Sequence, residues 1–420
     1  MKRDLPDTAW LTTGPLAQLL AVLDHAGEQA RVVGGAVRDA MFGQPPREVD
    51  IATTAVPGTV IERVRAAGFK AVPTGIDHGT VTVIVDGTPF EVTTLRADIE
   101  TFGRRAKVAF GRDWKVDAER RDFTMNALSV DRTGEVFDYV GGLADIDARR
   151  VRFIGDPARR IAEDYLRILR FFRFHATYGR GAPDPAGLAA CLAARAGLAQ
   201  LSRERIRMET LKLLRAAHAA PTLAVMTETG LLEQVLAGVP LLASFENTCE
   251  VERAVGLEGD SVRRLGALAV TVAEDAERLW QRLRLTNSEH ARLLSIADHW
   301  SWASPARGEG PSRELIYRIG SDRYVDCVLV AWARSSAGAA DEDWRNLATL
   351  PVRWSAPKFP LKAKDFIKRG IEKGPRLGAA LAQSEQAWIA AGFPADQRAI
   401  AALADAAAAE TDVGPGGDGP

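Results

Sequence analysis

The fold of the N-terminal part of this chain is decided by residues 31–55, RVVGGAVRDAMFGQPPREVDIATTA. A short apolar strand, residues 31–33, stops at Gly34 and Gly35, and the residues that follow can turn into a helix. A helix that opens behind glycines presents free backbone N–H groups to an anion. Because Arg38 follows Gly34 by about one helical turn, a cation can join those amides. The stretch therefore predicts an anion-binding turn.

A second predicted strand, residues 48–52, carries two carboxylates. Side chains alternate along a strand, so Glu48 and Asp50 should share one face. Carboxylates two residues apart beside an anion cradle can hold Mg²⁺ and a polyphosphate together. Taken singly, a Gly-Gly is most often only a turn and a Glu-x-Asp a solvated strand face, and dinucleotide binding would require G-x-G-x-x-G. Found together and this close, the features favour a nucleotide site.

Composition sets wider bounds. The chain has 420 residues, of which 46% are hydrophobic, and a net charge of −1. That length predicts two to four compact units, and the balanced charge argues neither for nor against nucleic acid. Cys191, Cys249 and Cys327 are far apart and odd in number, which fits neither a disulfide framework nor a zinc site. The cysteine pattern therefore predicts a reducing cytoplasm. The N-terminus has no apolar leader and no apolar run is long enough to cross a bilayer, so no membrane contact is predicted.

A β-hairpin is predicted next, because Asp86-Gly87 joins two alternating runs, residues 80–85 and 88–95. On its second strand Glu91 points away from the apolar face, so it is a candidate third carboxylate. A structural role as partner of an arginine such as Arg96 is at least as good an interpretation. The polar residues 96–119 are predicted to be a mobile loop. This stretch contains three basic side chains that either contact phosphates or are simply solvated: Arg104, Arg105 and Lys107.

Residues 120–127, RRDFTMNA, form a second motif. Asp122 and Asn126 are four apart and would share a face in a helical turn. An Arg for a phosphate and an Asn or Asp for a sugar hydroxyl suit a nucleotide. From spacing alone, an ordinary capped turn is slightly favoured over a binding site.

A single long helix is predicted from Asp156-Pro157 to Tyr178, with Asp as N-cap and Pro in the first turn. One face of this helix should be buried, and that face carries Ile161, Leu166, Leu169 and Phe172. Another face carries a row of charges, which consists of Asp164, Arg167, Arg170 and Arg173. The forked donors of an arginine guanidinium match base edges and phosphates, so this row of residues is a candidate nucleotide contact.

The C-terminal half is helical by pattern, and its most basic stretch is residues 358–376. With a nucleotide site upstream, this stretch is predicted to contact an RNA backbone rather than only solvent. The predicted contact residues are Lys358, Lys362, Lys364, Lys368 and Arg369. The last ten residues are predicted to be disordered.

Three motifs of this chain resemble those of the class II tRNA nucleotidyltransferases, or CCA-adding enzymes, and the closely related bacterial poly(A) polymerases. They are G-G-x-V-R-D at residues 34–39 followed by the D-x-D position at residues 48–50, R-R-D-F-T-x-N-A at residues 120–127, and E-D-x-x-R at residues 163–167. The chain departs from the pattern at Glu48, where the family usually has Asp. The motifs cluster in residues 31–178, and the resemblance is weaker in the helical remainder.

The resemblance implies an α+β fold with a palm-like antiparallel sheet and helices, followed by all-α segments. The implied segments are a nucleotidyltransferase head at 1–154, a base-recognition neck at 155–220, a body at 221–350, an RNA-binding tail at 351–410 and a disordered end at 411–420. It also implies addition of C, C and A to the tRNA 3′ end from CTP and ATP with two Mg²⁺ ions, and it does not imply a protein partner.

Site residues carried over from the family pattern fall into two sets. Glu48 and Asp50 would be the catalytic metal ligands. The nucleotide-binding residues would be Gly34, Gly35, Arg38, Arg121, Asp122, Asn126, Asp164, Arg167, Arg170 and Arg173. In relatives, the Asp and Arg of the third motif form hydrogen bonds to the edge of the incoming base.

Two rival functions remain at this point. A poly(A) polymerase shares the three motifs and would use ATP alone, but the chain has no long basic C-terminal extension. A non-catalytic RNA-binding relative is favoured only by Glu48. Because Glu is still a hard oxygen ligand, activity is expected to survive this departure.

Overall fold

A computed structural model describes residues 3–46, 48–102 and 105–412. The phosphate contact predicted for Arg104 lies outside these residues, and the side chains of Arg105 and Lys107 are likewise outside the description. The chain divides into two compact units. One contains residues up to 240 together with 282–284, and the other contains residues 241–281 and 285 onwards.

The described residues form ten strands, which make an eight-stranded sheet and a separate two-stranded sheet. The strands are β1 (Arg3–Asp4), β2 (Ala30–Val33), β3 (Asp50–Thr53), β4 (Lys70–Gly75), β5 (Thr80–Val85), β6 (Thr88–Thr94), β7 (Arg96–Phe102), β8 (Arg105–Phe110), β9 (Ser129–Val130) and β10 (Glu135–Phe137). The order in the large sheet is β1-β10-β9-β2-β3-β6-β5-β4. Its pairs are antiparallel apart from β3 and β6, which run parallel. The predicted palm-like sheet is therefore mixed.

Helices fill the rest of both units. The first twelve are α1 (Ala9–Thr12), α2 (Gly14–Leu23), α3 (Gly35–Met41), α4 (Pro57–Ala66), α5 (Trp114–Glu119), α6 (Gly142–Asp147), α7 (Pro157–Glu163), α8 (Leu166–Tyr178), α9 (Pro185–Ala193), α10 (Arg203–Leu214), α11 (Ala219–Glu228) and α12 (Leu231–Leu236). They are followed by α13 (Leu242–Ala254), α14 (Ser261–Ala269), α15 (Ala273–Leu283), α16 (Asn287–His299), α17 (Glu309–Ile319), α18 (Ser321–Arg334), α19 (Glu342–Ala348), α20 (Leu350–Arg353), α21 (Ala363–Ile367), α22 (Pro375–Ala390) and α23 (Gln397–Asp412). Short 3₁₀ helices lie at Ile76–His78, Thr124–Asn126, Arg195–Gln200 and Pro305–Arg307.

The core of the first unit follows the periodicities of its sequence. Alternate residues of β5 are fully buried, because the strand has one face against the helices. The hairpin predicted at Asp86-Gly87 is confirmed, and both residues have the positive φ of a tight hairpin turn, 49° and 80°. The helix α2 buries an apolar stripe at helical spacing, which consists of Leu16, Leu19, Leu20 and Leu23.

Three predicted elements were wrong in extent. The stretch predicted as one loop contains the antiparallel strands β7 and β8, at 96–102 and 105–110, and then α5. A short alternation of apolar and polar residues is present at 105–110, RAKVAF, but the many charges around it favoured a loop. Glu48 precedes β3, which begins at Asp50, so the two do not share a strand. The prediction of disorder was wrong for residues 411–412, which belong to α23. Residues 413–420 lie outside the described part of the chain.

A buried ion network ties together four helices of the second unit. Glu252 on α13 and Asp326 on α18 are both fully buried, and Arg263 on α14 donates to each of them at 2.8 and 2.9 Å. Arg292 on α16 adds a bond to Asp326 at 2.7 Å. Removing one member would take a compensating charge away from its buried partners, so we expect each such change to destabilise the second unit. Within the described residues, no helix is both long and apolar enough to cross a membrane.

Candidate active site

The glycine turn lies between β2 and α3. Gly34 has φ 73° and ψ −123°, a conformation that a side chain would strain. Space is a second reason for glycine, because a Cβ at this position would lie 2.9 Å from Nη1 of Arg121. Arg121 therefore lies directly over the turn at which α3 presents its first N–H groups. The structure brings the first two motifs of the sequence together here.

Two carboxylates lie next to each other on adjacent strands. Asp50 begins β3, and its partner in the parallel register is Glu91 on β6; both side chains are exposed. Partial desolvation by the surrounding protein, and then repulsion from Glu91 and Glu48, raise the pKa of Asp50, while Arg121 opposes the rise. Carboxylates that repel one another in this way provide hard oxygen ligands for a divalent cation. Across the described residues, no group of three or more His, Cys, Asp or Glu is arranged as a ready metal cage.

A chain of hydrogen bonds connects α3 to α8 through the second motif. Arg38 Nη1 donates to Asn126 Oδ1 at 2.6 Å, and Asn126 Nδ2 donates to Asp122 Oδ1 at 3.1 Å. Arg170 Nε on α8 then donates to Asp122 Oδ2 at 2.7 Å. Although burial opposes it, the charge of Arg170 and the hydrogen bonds hold the pKa of Asp122 below its usual range. Four of the predicted nucleotide residues are thus joined in one network.

Arg38 is more enclosed than its predicted role suggested. It is 7% exposed, and Nε and Nη2 both donate to Asp39 Oδ1. Its guanidinium lies 4.1 Å from the ring centroid of Tyr178, whose hydroxyl also donates to Asp39 at 3.1 Å. Since three of its donor contacts are to protein, Arg38 is oriented by the fold before any ligand arrives.

The predicted single helix over residues 157–178 was wrong, because the chain breaks it at the third motif. α7 ends at Glu163, Asp164 is extended with φ −159° and ψ 108°, and α8 begins at Leu166. The Asp164 side chain accepts the N–H of Leu166 at 3.1 Å, which replaces a helical bond. The buried face of the two helices is nevertheless as predicted, with Ile161, Leu166, Leu169 and Phe172 all buried.

Each charged residue of the third motif has a protein partner in the fold. Asp164 Oδ2 accepts from Arg205 Nη2 at 2.6 Å. Arg167 Nη1 bonds to Glu163 Oε2 at 2.5 Å and to the carbonyl oxygen of Arg160 at 2.6 Å. Asp164 and Arg167 remain on one short segment, with side chains 23% and 17% exposed, so both keep an open edge.

Two family profiles and several full-length relatives match the chain. The profile described as Poly A polymerase head domain matches residues 30–152, and the one described as probable RNA and SrmB- binding site of polymerase A matches residues 182–245. The mitochondrial CCA tRNA nucleotidyltransferase 1 of Mus musculus is 35% identical over 402 residues, which cover 94% of this chain and 90% of the relative. The chain belongs to the CCA-adding tRNA nucleotidyltransferase family.

Other members of the CCA-adding family agree. The CCA-adding enzyme of Limosilactobacillus fermentum is 31% identical over 377 residues, covering 87% of this chain and 90% of its own length. The solved structure of the Bacillus stearothermophilus CCA-adding enzyme in complex with CTP matches with a TM-score of 0.71 at 28% identity, over 95% of this chain and 99% of that one. The predicted family and the α+β fold class are confirmed.

Two residues of this CCA-adding family member were missed by the sequence analysis. Glu209 on α10 is 3% exposed and accepts a hydrogen bond from Arg173 Nε. Arg205, four residues earlier on the same helix, is the partner of Asp164. Their spacing of four places them on one helix face, which was the only local signal. Their partners lie 36 and 41 residues away, beyond any pattern in the sequence.

The basic segment of the second unit is largely open to solvent. Lys358, Lys362, Lys364 and Lys368 are exposed or partly exposed, and α21 begins directly after Lys362. Arg369 differs from these lysines, because its Nε pairs with Asp405 on α23 at 2.7 Å. Four of the five predicted RNA contacts are therefore accessible, and the fifth is engaged within the fold.

Proposed function

We propose that this chain adds C, C and A to the 3′ end of tRNA, using CTP and ATP and releasing pyrophosphate. The observation that supports it best is that Arg121 lies at the Gly34 turn and its charge acts on Asp50. The chain is also 35% identical over 402 residues to a CCA tRNA nucleotidyltransferase. An anion cradle beside a carboxylate pair suits a triphosphate and its cation. A cytoplasmic location remains a prediction.

In the proposed reaction the tRNA 3′-hydroxyl attacks the α-phosphate of the nucleotide. The N–H groups behind Gly34 and Gly35, together with Arg121, would hold the triphosphate. Asp122, Asn126 and Arg170 would orient the sugar and phosphates. Arg38 and Arg173 would support this arrangement from its buried side, since both are bonded to protein acceptors. This assignment keeps every predicted residue but gives Arg38 mainly an orienting role.

Two Mg²⁺ ions are proposed at the carboxylates. Asp50 and Glu48 would hold them, and Glu91 is a third candidate because it is the register partner of Asp50. The donor set fits the ions, because these are hard oxygen ligands whose mutual repulsion a cation would relieve. When bound, Mg²⁺ would offset charge on the phosphates during transfer.

Base selection is proposed for the segment between α7 and α8. A carboxylate offers acceptors and a guanidinium offers a donor fork, which together can match the edge of one base. Asp164 and Arg167 would read the incoming base there. We also propose the segment boundaries implied by the family. They are a head at 1–154, a neck at 155–220, a body at 221–350, a tail at 351–410 and a C-terminal end at 411–420.

The test is an incubation of tRNA that lacks its CCA end with labelled CTP, ATP or both. We expect two C residues from CTP alone and a single final A when both are supplied. A poly(A) polymerase would instead extend RNA with ATP alone and without a defined stop. A non-catalytic relative would bind tRNA and release no pyrophosphate. The full-length relatives favour the first outcome, whereas the head-domain profile is named for poly(A) polymerase.

Neutralising the basic tail segment should weaken tRNA binding and reduce its salt dependence. Lys362, Lys364 and Lys368 are exposed, and removing one lysine that binds a phosphate should lower the slope of log K against log salt by about 0.7 to 0.9. The Lys→Gln triple variant should therefore show a slope smaller by about two units in filter-binding titrations. CTP affinity should not change, because the proposed nucleotide site lies in the other unit.

A matched control carries the same change of charge elsewhere. The control residues are exposed and lie outside both the tail and the residues 182–245 of the RNA-binding profile: Arg65, Lys70 and Lys115. The triple variant that changes each of them to Gln should keep the wild-type slope. If both triple variants lower the slope of log K against log salt equally, the tail acts only through net charge. If neither changes slope or affinity, the tail does not touch the RNA.

A further inference from the structure

The turn at the third motif packs against a glycine, Gly197, through the side chain of Tyr165. The ring of Tyr165 packs against Gly197, which is buried in the 3₁₀ helix Arg195–Gln200. A Cβ at Gly197 would lie 2.1 Å from Cδ1, 2.3 Å from Cε1 and 2.4 Å from Cγ of Tyr165. Such distances are far inside van der Waals contact, so no other residue fits while the ring stays in place.

Glycine is required here by the ring and not by the backbone. Gly197 is not among the glycines with positive φ, so its conformation is open to any residue. The clash involves Cγ, which is one bond from the Cβ of Tyr165. The tyrosine therefore cannot yield by bending the far end of its ring. The χ1 rotamer of Tyr165, its backbone or the backbone of the 3₁₀ helix at Gly197 has to move.

Movement at position 165 would reach the proposed base-selecting residues directly. Tyr165 lies between Asp164, which is extended, and Leu166, where α8 begins. The carbonyl groups of Asp164 and Tyr165 accept the N–H groups of Arg167 and Ile168 at 3.0 and 3.1 Å, so the turn and the start of α8 are one hydrogen-bonded piece. The bond from Arg205 holds the tip of Asp164, and the bond from Leu166 N–H to Asp164 Oδ1 closes the turn locally. The Tyr165 ring adds a contact between this turn and the 3₁₀ helix Arg195–Gln200.

We propose that Tyr165 and Gly197 are positioning residues for nucleotide selection, because the contact of ring and glycine fixes the turn that aims Asp164 and Arg167 at the base. The inference rests on the proposed function, since it assumes that these two side chains discriminate among nucleoside triphosphates. It assigns a part in that choice to a glycine that lies outside the three motifs, well beyond the third of them along the chain.

The test compares kcat/KM for CTP and ATP with kcat/KM for UTP and GTP in Gly197→Ala, Tyr165→Ala and the double variant. Gly197→Ala should lower discrimination about tenfold or more, because small misplacements of positioning groups cost up to about a hundredfold. In the Tyr165→Ala background, where the ring is gone, Gly197→Ala should have no further effect. Such non-additivity is the mark of one shared contact.

Gly187→Ala is the matched control. A Cβ at Gly187 on α9 would lie 2.8 Å from Cε2 of Phe171 on α8, so this variant overpacks the same helix away from the turn. It should lower Tm while the choice of nucleotide stays sharp. If Gly197→Ala does not fold, Tyr165→Ala alone decides, because it removes volume instead of adding it.

The outcomes separate this inference from the proposed function. If the wild-type chain transfers no nucleotide or does not discriminate, the proposed function fails. If the wild type discriminates, and the Gly197 and Tyr165 variants lower only Tm or act additively, the positioning role alone is wrong.

Discussion

Asp50→Ala is expected to reduce nucleotide transfer at least about a thousandfold, because a catalytic metal ion supplies several kcal/mol of transition-state stabilisation and each 1.4 kcal/mol is about tenfold in rate. Asp50 is the central carboxylate of the proposed metal site, since its pKa responds to both Glu91 and Glu48. Single-turnover incorporation of labelled CTP into tRNA measures the loss. Filter binding should show that tRNA affinity is nearly unchanged.

The folded state should not suffer from this change. The pKa of Asp50 is raised, so its charged form is disfavoured in the fold, and replacing it removes repulsion rather than a stabilising bond. The Tm of Asp50→Ala should equal or exceed that of the wild type. Glu62→Ala, which removes an exposed carboxylate from α4, is the control and should retain full activity. Substantial turnover of Asp50→Ala in Mg²⁺ would contradict the metal-site assignment.

The neighbouring carboxylates can be ranked by the same assay. Glu91 is the register partner of Asp50, whereas Glu48 lies just before the strand. Glu91→Gln keeps the shape of the side chain and removes its charge, so a large loss would make Glu91 the third ligand. Glu48→Asp keeps a carboxylate and should retain activity. Binding of Mn²⁺, followed by electron paramagnetic resonance, gives a readout that does not depend on turnover.

The parts of the site that the sequence could predict are set by local backbone chemistry. The Gly34 turn follows from a strand that runs into glycines, and the hairpin at Asp86-Gly87 follows from a dipeptide that tolerates positive φ. The burial of Phe90 and Val92 against the exposure of Glu91 follows from strand alternation. Each of these signals lies within a few residues of the feature it specifies.

The parts that the sequence could not predict depend on partners distant in the chain. The helical pattern continues through Asp164 without Gly or Pro, yet the helix breaks there because its side chain bonds to Leu166 and to Arg205, 41 residues away. The arginines of α8 looked like a free row. In the fold Arg170 is paired with Asp122, 48 residues away. Tertiary ion pairs leave no periodic trace in a single sequence.

The break at Asp164 also changes what its replacement should do. On a regular helix, Asp164 and Arg167 would lie in one row, but Asp164 sits on an extended residue and is oriented by Arg205. Each carboxylate oxygen has one protein donor, Leu166 N–H at Oδ1 and Arg205 at Oδ2, and 23% of the side chain is exposed. Because a carboxylate oxygen can accept more than one hydrogen bond, a base edge can approach the exposed part while these donors keep the group in place.

Asp164→Ala is expected to reduce discrimination among CTP, ATP, UTP and GTP about ten- to a hundredfold, because a well-formed hydrogen-bonded pair to a base edge is worth about 1–3 kcal/mol. The KM of the correct nucleotides should change much less, since the triphosphate is proposed to be held at Gly34 and Arg121. Steady-state kinetics with each nucleotide on tRNA lacking its CCA end measures both quantities. Asp156→Ala, which removes the α7 N-cap bond to Ala158 at 2.9 Å, is the control for neck stability and should lower Tm with specificity intact. If Asp164→Ala raises only KM and the choice of base stays sharp, Asp164 does not read the base.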